Sequence, residues 1–175
     1  IPVGVSGFEE IRKNGYYYID KSGLIRELLN RRGTEVTWIT RPRRFGKTLG
    51  MSMLESFFDI RKDSRALFEG LEISENRALC DAWMNQYPTV FVSFRQVDGL
   101  DFAGAYDMLT WVISELYKKH RYLLDSDRIG TSDKEIAKQL EWGQASMKDM
   151  KGSLMLLTRM MQQHYEKPVI LLIDE

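Results

Sequence analysis

Apolar residues recur every three to four positions over most of this chain, a spacing typical of amphipathic helices. It predicts a helix after Ser22, one from about Thr48 to Phe58, a long one after Asp101, and one from about Met147 to Tyr165. Their apolar faces carry Leu24, Ile25, Leu28 and Leu29; Leu49, Met53 and Phe57; Phe102, Ala105, Leu109, Val112, Leu116 and Leu123; and Met150, Leu154, Leu157, Met161 and Tyr165.

Residues that commonly begin or end helices lie at the borders of these segments. Ser22 is expected to cap the first helix, and Gly33 is expected to end it. Ser132 and Glu135 have the spacing of a capping box, in which each side chain bonds the backbone N–H of the other residue. A further helix is therefore expected after Ser132.

Three segments have the composition of strands. They are Glu35–Thr40, rich in β-branched and aromatic residues; Thr89–Phe94, nearly apolar throughout; and Val169–Ile173, a run of aliphatic residues. Because helical segments separate them, they are expected to pair in parallel within an α/β sandwich. Ligands of such folds bind at the carboxyl ends of the strands.

The first predicted strand leads into Gly46-Lys47-Thr48, directly before a predicted helix. Backbone N–H groups at a helix start are unpaired and carry partial positive charge, which suits phosphate oxygens. Lys47 is expected to reach the β- and γ-phosphates, while the Thr48 hydroxyl ligates Mg²⁺ and Gly46 allows close approach of the backbone. The predicted nucleotide-binding residues are Arg43, Arg44, Phe45, Gly46, Lys47, Thr48 and Leu49.

A second candidate for nucleotide chemistry is Asp174-Glu175, which ends the last aliphatic run. A strand that ends in two acids is typical of the Walker B element of an ATPase. Asp174 is expected to hold Mg²⁺ together with Thr48, and Glu175 to orient the attacking water. Lys47 and Glu175 are thus the predicted catalytic residues, provided that the two motifs converge on one triphosphate.

Neither motif is specific by itself. A Gly-Lys-Ser/Thr tripeptide arises by chance in roughly one chain in ten of this length, and an aliphatic strand with a polar end is more often an ordinary buried strand. The usual phosphate loop also has a glycine where this chain has Arg41, and Pro42 favours an extended Arg41. The predicted order of strand, basic loop and helix is what supports reading the two motifs as parts of one nucleotide site.

Longer stretches carry more specific patterns. They are Ile1–Ile11, Tyr18–Ser22, Arg41–Thr48 and Met53–Phe58, with weaker agreement over Phe68–Leu71 and Tyr87–Phe94. Together they resemble the AAA-ATPase-like family of bacterial proteins, and the resemblance covers most of the chain. In that family Arg-Pro-Arg-Arg-Phe-Gly-Lys-Thr is the habitual loop, so Arg41 is a family trait.

The resemblance implies an α/β fold of the three-layer P-loop NTPase type with a parallel sheet. Residues 1–175 would be the N-terminal portion of one domain, with a leading segment and helix over 1–35 and the span from Walker A to Walker B over 36–175. Because a later strand lies between these two elements in such ATPases, the chain is expected to be an inactive fragment. The family often carries a C-terminal nuclease-like domain of the PD-(D/E)XK type, through which nucleic acid would be a partner.

ATP or ADP with Mg²⁺ are the implied cofactors. The favoured function is ATP hydrolysis coupled to conformational change or to regulation of the attached domain. A slow nucleotide switch and a nucleic-acid or protein adaptor without turnover are the alternatives, and the intact set of Lys47, Thr48, Asp174 and Glu175 argues against the adaptor. Preference for adenine over guanine stays open because no base-reading motif is visible.

Two groups of residues keep alternative roles. Arg41, Arg43 and Arg44 would contact a phosphate or a neighbouring subunit's nucleotide, or would form a solvated loop paired with surface carboxylates. Tyr18, Asp20 and Lys21 match the family's Tyr-x-Asp-Lys signature, and would shape the adenine end of the pocket or take a structural role in capping the helix from Ser22.

Composition sets further limits. The 25 basic and 25 acidic residues cancel, which argues against electrostatic nucleic-acid binding by the whole chain. Cys80 is the sole cysteine, so no internal disulfide is expected, and it is interpreted as a small buried residue. No apolar run has the length of a membrane span and no signal peptide opens the chain, which favours a cytoplasmic protein; homo-oligomer formation is left open.

Overall fold

The computed structural model describes residues 7–30, 36–40 and 45–175. The chain divides into two compact units, Ile1–Phe91 and Val92–Glu175. The assignment of residues 1–175 to a single P-loop domain stays a prediction.

The first unit consists mainly of short helices. Its described elements are α1 (Phe8–Lys13), α2 (Gly23–Asn30), α3 (Lys47–Phe58), α4 (Arg65–Phe68), a 3₁₀ helix (Glu72–Glu75), α5 (Arg77–Trp83) and the start of the strand β1 (Thr89–Ser93). The predicted helices after Ser22 and from Thr48 to Phe58 are confirmed as α2 and α3. The strand predicted over Thr89–Phe94 is confirmed as β1, one residue shorter.

An aromatic cluster forms the core of the first unit. Phe8, Phe57 and Phe68, from α1, α3 and α4, are fully buried. The ring centroids of Phe8 and Phe68 lie 4.9 Å apart, and those of Phe57 and Phe68 lie 5.3 Å apart. Because burying one such side chain stabilises a fold by about 1.5–3 kcal/mol, the cluster fixes α3 by its C-terminal half. Cys80 is buried as well, as the sequence predicts.

Asn85 connects the end of α3 to the chain that leads into β1. Its backbone has a φ of 56°, in the left-handed region. The side-chain carbonyl accepts from the Ser64 N–H at 2.9 Å, and the amide nitrogen donates to the carbonyls of Ser56 at 3.1 Å and Asp59 at 2.9 Å. One side chain thus bonds three backbone groups, of which the Asp59 carbonyl also accepts the Lys62 N–H.

The strand predicted over Glu35–Thr40 is wrong for its described part. Residues 36–40 have no regular secondary structure, and the side chains of Val36 and Trp38 are 67% and 86% exposed. A strand is stable only when a neighbouring strand pairs with its backbone groups. The sheet of the described residues consists of β1 and β2 alone, so the β-forming composition of 36–40 has no strand beside it.

The second unit contains the longer helices. Its described elements are the end of β1, α6 (Phe102–Lys119), a 3₁₀ helix (Arg121–Asp125), α7 (Thr131–Glu141), α8 (Met147–Lys151), α9 (Ser153–Tyr165) and the strand β2 (Ile170–Asp174). β2 confirms the last predicted strand and pairs with β1 in a small parallel sheet. Helices with a parallel sheet agree with the predicted α/β class.

Helices α6, α7 and α9 pack around a common core. Ile113, Leu140 and Leu157, one from each helix, are essentially inaccessible to solvent. The Tyr117 hydroxyl, on α6, donates to the carbonyl of Ser153 at the start of α9 at 2.8 Å. Apolar burial and this polar contact together fix the three helices.

Two predictions about helix ends in this unit are wrong. α7 already begins at Thr131, with Gly130 as its N-cap and no side-chain cap, so Ser132 lies inside the first turn and cannot form the predicted capping box. The helix predicted from Met147 to Tyr165 is interrupted at Gly152, between α8 and α9. Glycine costs up to about 1 kcal/mol inside a helix, and the Ser146 hydroxyl starts α8 by accepting the Asp149 N–H at 3.1 Å.

Candidate functional site

Gly46 forms the turn that starts α3. It is the N-cap residue, with φ 75° and ψ 32° in the left-handed region. A side chain with a Cβ costs about 1–2 kcal/mol in that conformation, whereas glycine adopts it freely. The Gly50 N–H donates to the Gly46 carbonyl at 2.9 Å, so regular helix begins at once. A left-handed glycine followed by the open N–H groups of a first turn suits an anion.

A cleft of about 480 Å³ opens beside this turn. Its size is within the range of small-molecule sites. Its walls combine cationic, glycine and apolar residues of the first unit, among them Lys21, Arg26, Gly46, Lys47, Ile39 and Met51. Glu27 and Glu72 belong to the same lining, so the cleft offers apolar contact together with three cationic and two acidic side chains.

The predicted nucleotide-binding residues fall into three groups. Phe45, Gly46 and Lys47 line the cleft, and Phe45 is 60% exposed. Thr48 and Leu49 occupy the first turn of α3 and are half-buried, but they do not line the cleft. Arg43 and Arg44, like Arg41, lie outside the described residues. Their assignment to phosphate contacts or to a solvated loop stays open.

Lys21 reaches the Gly46 turn from the segment before α2. Its Nζ donates to the Phe45 carbonyl at 3.0 Å. A Cβ built on Gly46 would lie 3.4 Å from the same Nζ. The sequence indicated Lys21 as part of a signature with two alternative roles, but gave no sign of this contact.

Asp20 and Ser22 hold Lys21 in place from both sides. The Asp20 carboxylate accepts the N–H groups of Ser22 at 2.8 Å and Glu72 at 2.7 Å, and the buried Ser22 hydroxyl accepts the Ile73 N–H at 3.1 Å. Burial by itself would raise the pKa of Asp20, but the N–H donors outweigh it and hold that pKa below its ordinary value. The wall of the cleft is thus attached to the 3₁₀ helix by two hydrogen bonds, which the Glu72 and Ile73 N–H groups donate.

Other residues of this region form the mouth of the cleft or its support. Arg26 and Glu72 form an ion pair of 2.5 Å at the rim, where both side chains are about half-exposed. Tyr18 does not line the cleft. Its hydroxyl donates to the sulfur of Met53 at 3.2 Å, its ring packs edge-on against Phe8 at 5.3 Å, and burial raises its pKa. Tyr18 therefore belongs to the core that supports the cleft.

The acidic pair ends the sheet of the second unit. Asp174 is the last residue of β2 and is only 3% exposed. The Ser93 hydroxyl donates to Asp174 Oδ2 at 3.3 Å, and the Phe94 N–H donates to the Asp174 carbonyl at 2.9 Å. Glu175 follows with an exposed side chain and a φ of 58°. Lys47 and Thr48 belong to the first unit, so convergence of the two motifs stays a prediction.

The described residues contain no cluster of three or more His, Cys, Asp or Glu side chains that could hold a metal ion. Magnesium bound with a nucleotide takes several of its ligands from phosphates and water. A site that uses Thr48, Asp174 and phosphate oxygens therefore needs no such cluster. Among the described helices, none is long and apolar enough to cross a membrane.

Comparison with known proteins agrees with the resemblance in the sequence. A protein of Azotobacter chroococcum mcd 1, described as an uncharacterized protein in the vnfD 5' region, is 34% identical to this chain over 95 residues. The aligned region covers 54% of this chain and 17% of the relative, so the chain spans a small part of that protein's length. No solved structure matches the chain. The family model described as "Predicted AAA-ATPase" matches residues 2–175, and the chain therefore belongs to the AAA-ATPase-like family.

Proposed function

We propose that this chain binds the triphosphate of ATP at the start of α3, and that the protein containing it hydrolyses ATP. The observation that carries the proposal is the left-handed Gly46 turn, which opens α3 beside a cleft lined by Lys47. Membership of the family supports nucleotide as the ligand. Hydrolysis would drive a conformational change or regulate an attached domain.

The residues around the turn suit a polyphosphate. The turn has a backbone that only glycine adopts without strain, so the loop can approach an anion closely. The amides from Arg43 to Thr48 would surround the phosphates, and the Lys47 ammonium would offset charge on the γ-phosphoryl group. One charge-assisted hydrogen bond of this kind is worth about 1.5–3 kcal/mol.

Thr48 and Asp174 would hold Mg²⁺, and Glu175 would orient the attacking water. When bound, the ion offsets phosphate charge and fixes the geometry of the transferred group. The Ser93 hydroxyl already restrains the Asp174 carboxylate, which would keep that ligand in a single orientation. The exposed Glu175 side chain is the more accessible of the two acids.

The apolar part of the cleft would receive the base. Leu24, Ile39 and Met51 contribute apolar surface on the same cleft as Lys47. Such contacts recognise a flat ring by shape and burial, and they do not distinguish the hydrogen-bonding edges of adenine and guanine. ATP is proposed on the family name, and GTP belongs among the nucleotides tested.

We also propose that the small sheet is part of a three-layer P-loop sandwich in the complete protein. Leu171 and Ile173, on one face of β2, are 38% and 47% exposed, whereas Leu172 and Asp174 on the other face are buried. Parallel strands in α/β proteins are normally covered on both faces. The exposed apolar face is what a further layer would cover.

The test is nucleotide binding and turnover by the full-length protein. Titration with a fluorescent ATP analogue and Mg²⁺ should give saturable binding, which Lys47→Ala should abolish. Glu175→Gln should keep the binding and stop the turnover. Lys13→Ala is the matched control, because Lys13 is an exposed lysine of the same unit whose ion-pair partner is Glu9 on its own helix. Equal loss of binding in Lys47→Ala and Glu175→Gln would contradict the assigned roles.

Turnover measured with and without DNA separates the alternatives. An ATPase that performs conformational work should turn over repeatedly, whereas a nucleotide switch should bind tightly with little multiple turnover. An adaptor would show neither saturable binding nor any effect of Lys47→Ala.

A further inference from the structure

We propose that Lys21 is a second phosphate-site cation, which holds the Phe45–Gly46 turn and places its charge beside Lys47. The inference rests on the proposed nucleotide binding, since the anion that it names is the nucleotide's phosphate chain. It adds to the loop a residue that lies outside it in sequence and belongs to the segment before α2.

Lys21 bonds the loop directly. The Lys21 ammonium donates to the Phe45 carbonyl at 3.0 Å. An ammonium has three N–H donors, and this bond uses one of them. Because a peptide unit is planar and trans, fixing the Phe45 carbonyl also fixes the direction of the Gly46 N–H. Lys21 thereby sets the orientation of a loop amide while it keeps donors for an anion.

The backbone of Lys21 is anchored through its two neighbours. Asp20 and Ser22, its two neighbours, are both bonded to backbone N–H groups of the 3₁₀ helix. An exposed surface lysine loses much side-chain freedom when it binds, and it also has a mobile backbone. Lys21 has only its side-chain torsions left to order, and one hydrogen bond already restrains these.

The positive charge in the cleft is only partly neutralised by ion pairs. Arg26, at the rim, is neutralised by Glu72. No described carboxylate forms an ion pair with Lys21 or Lys47, although Glu27 also lines the cleft. Two ammonium groups without a carboxylate partner favour an anion of more than one charge, such as a di- or triphosphate.

The experiment compares nucleotides that differ in phosphate number. The affinities of ATP, ADP and AMP for the full-length protein are measured by competition against a fluorescent ATP analogue. Lys21→Met should weaken the binding of ATP and ADP by about tenfold or more, which is the order expected for the loss of one charge-assisted hydrogen bond. It should weaken the binding of AMP by less. Lys21→Arg should recover much of the loss because it restores the charge and the donor. Lys13→Met, the exposed lysine on α1, should bind as the wild type does.

Thermal unfolding of each variant accompanies the titrations. Lys21 is exposed, so the Met variant should fold, with a midpoint lowered by no more than about 2–4 °C through the loss of its one hydrogen bond. If Lys47→Ala loses binding while Lys21→Met binds ATP like the wild type, the role of Lys21 is overturned and the proposed function stands. Equal weakening of ATP, ADP and AMP would also overturn it, because a general distortion of the cleft does not depend on phosphate number. A wild-type protein that binds no nucleotide would overturn both proposals.

Discussion

Replacing Gly46 by alanine tests the turn on which the proposed site depends. Gly46 has a φ of 75°, and an added Cβ would lie 3.4 Å from Lys21 Nζ. The left-handed conformation costs a residue with a Cβ about 1–2 kcal/mol. The contact with Nζ adds little, because the end of a lysine side chain can move by a few tenths of an ångström.

The strained turn in Gly46→Ala can either keep its conformation or relax, and each outcome changes a measurable quantity. If the turn keeps its conformation, the free energy of unfolding falls by about 1–2 kcal/mol. If the turn leaves the left-handed region, the arrangement that binds phosphate becomes a minor state, and the apparent Kd rises. A shift of 1–2 kcal/mol corresponds to a Kd that is about 5 to 30 times higher.

Gly15→Ala is the matched control. Gly15 has a φ of 63°, and a Cβ there would meet no atom within 4 Å. It follows α1 and does not line the cleft. Urea denaturation should show a loss of stability in Gly15→Ala and, if its turn keeps its conformation, a similar loss in Gly46→Ala. If the Gly46→Ala turn relaxes instead, the Kd for ATP should rise in that variant alone. If Gly46→Ala matches the wild type in both stability and affinity, the argument from the left-handed turn is refuted.

Two further predictions concern residues that support the site. Asn85→Ala removes three side-chain hydrogen bonds, worth about 1 kcal/mol each, and places alanine in a left-handed backbone that asparagine adopts more readily, so urea denaturation should show a loss of about 3–4 kcal/mol. Asn85→Gly should lose about 3 kcal/mol, since glycine tolerates the backbone. Asp20→Asn should be less stable than the wild type at pH 7. Folding lowers the pKa of Asp20. The ionised carboxylate therefore adds to the free energy of unfolding at every pH above its unfolded pKa of about 3.9, and this stabilisation disappears as the pH falls through the lower folded pKa.

Each of these predictions has an outcome that contradicts it. Equal stability of the Ala and Gly variants at position 85 would mean that the left-handed backbone carries no cost there. For Asp20→Asn, a stability difference from the wild type that persists unchanged down to pH 2 would show that it does not come from the ionised carboxylate.

The sequence predicts those features that depend on neighbouring residues. The spacing of Met53 and Phe57 placed them on one face of α3, and both are fully buried. Asp101 begins α6 as expected, since its side chain accepts the Gly104 N–H at 2.8 Å. The family was also evident from its motifs, and the match over residues 2–175 confirms it.

The errors and omissions arise where distant parts of the chain meet. Residues 36–40 have strand composition, but composition does not determine whether a partner strand lies beside them. The break at Gly152 is instead a local effect: the apolar spacing continues across this residue, but glycine weakens a helix interior, and α8 and α9 are separate helices. The contact from Lys21 to the loop spans 24 residues, and no local pattern could have revealed it.

The attachment of Asp20 and Ser22 to the 3₁₀ helix has a consequence for the order of folding during synthesis. Their partners lie 52 and 51 residues further along the chain. A ribosome adds roughly 5–20 residues per second, so several seconds separate the two sides of these bonds. The nascent chain therefore completes the Gly46 turn and α3 first, and the Asp20–Ser22 wall of the cleft can be fixed only after residue 73 has left the exit tunnel.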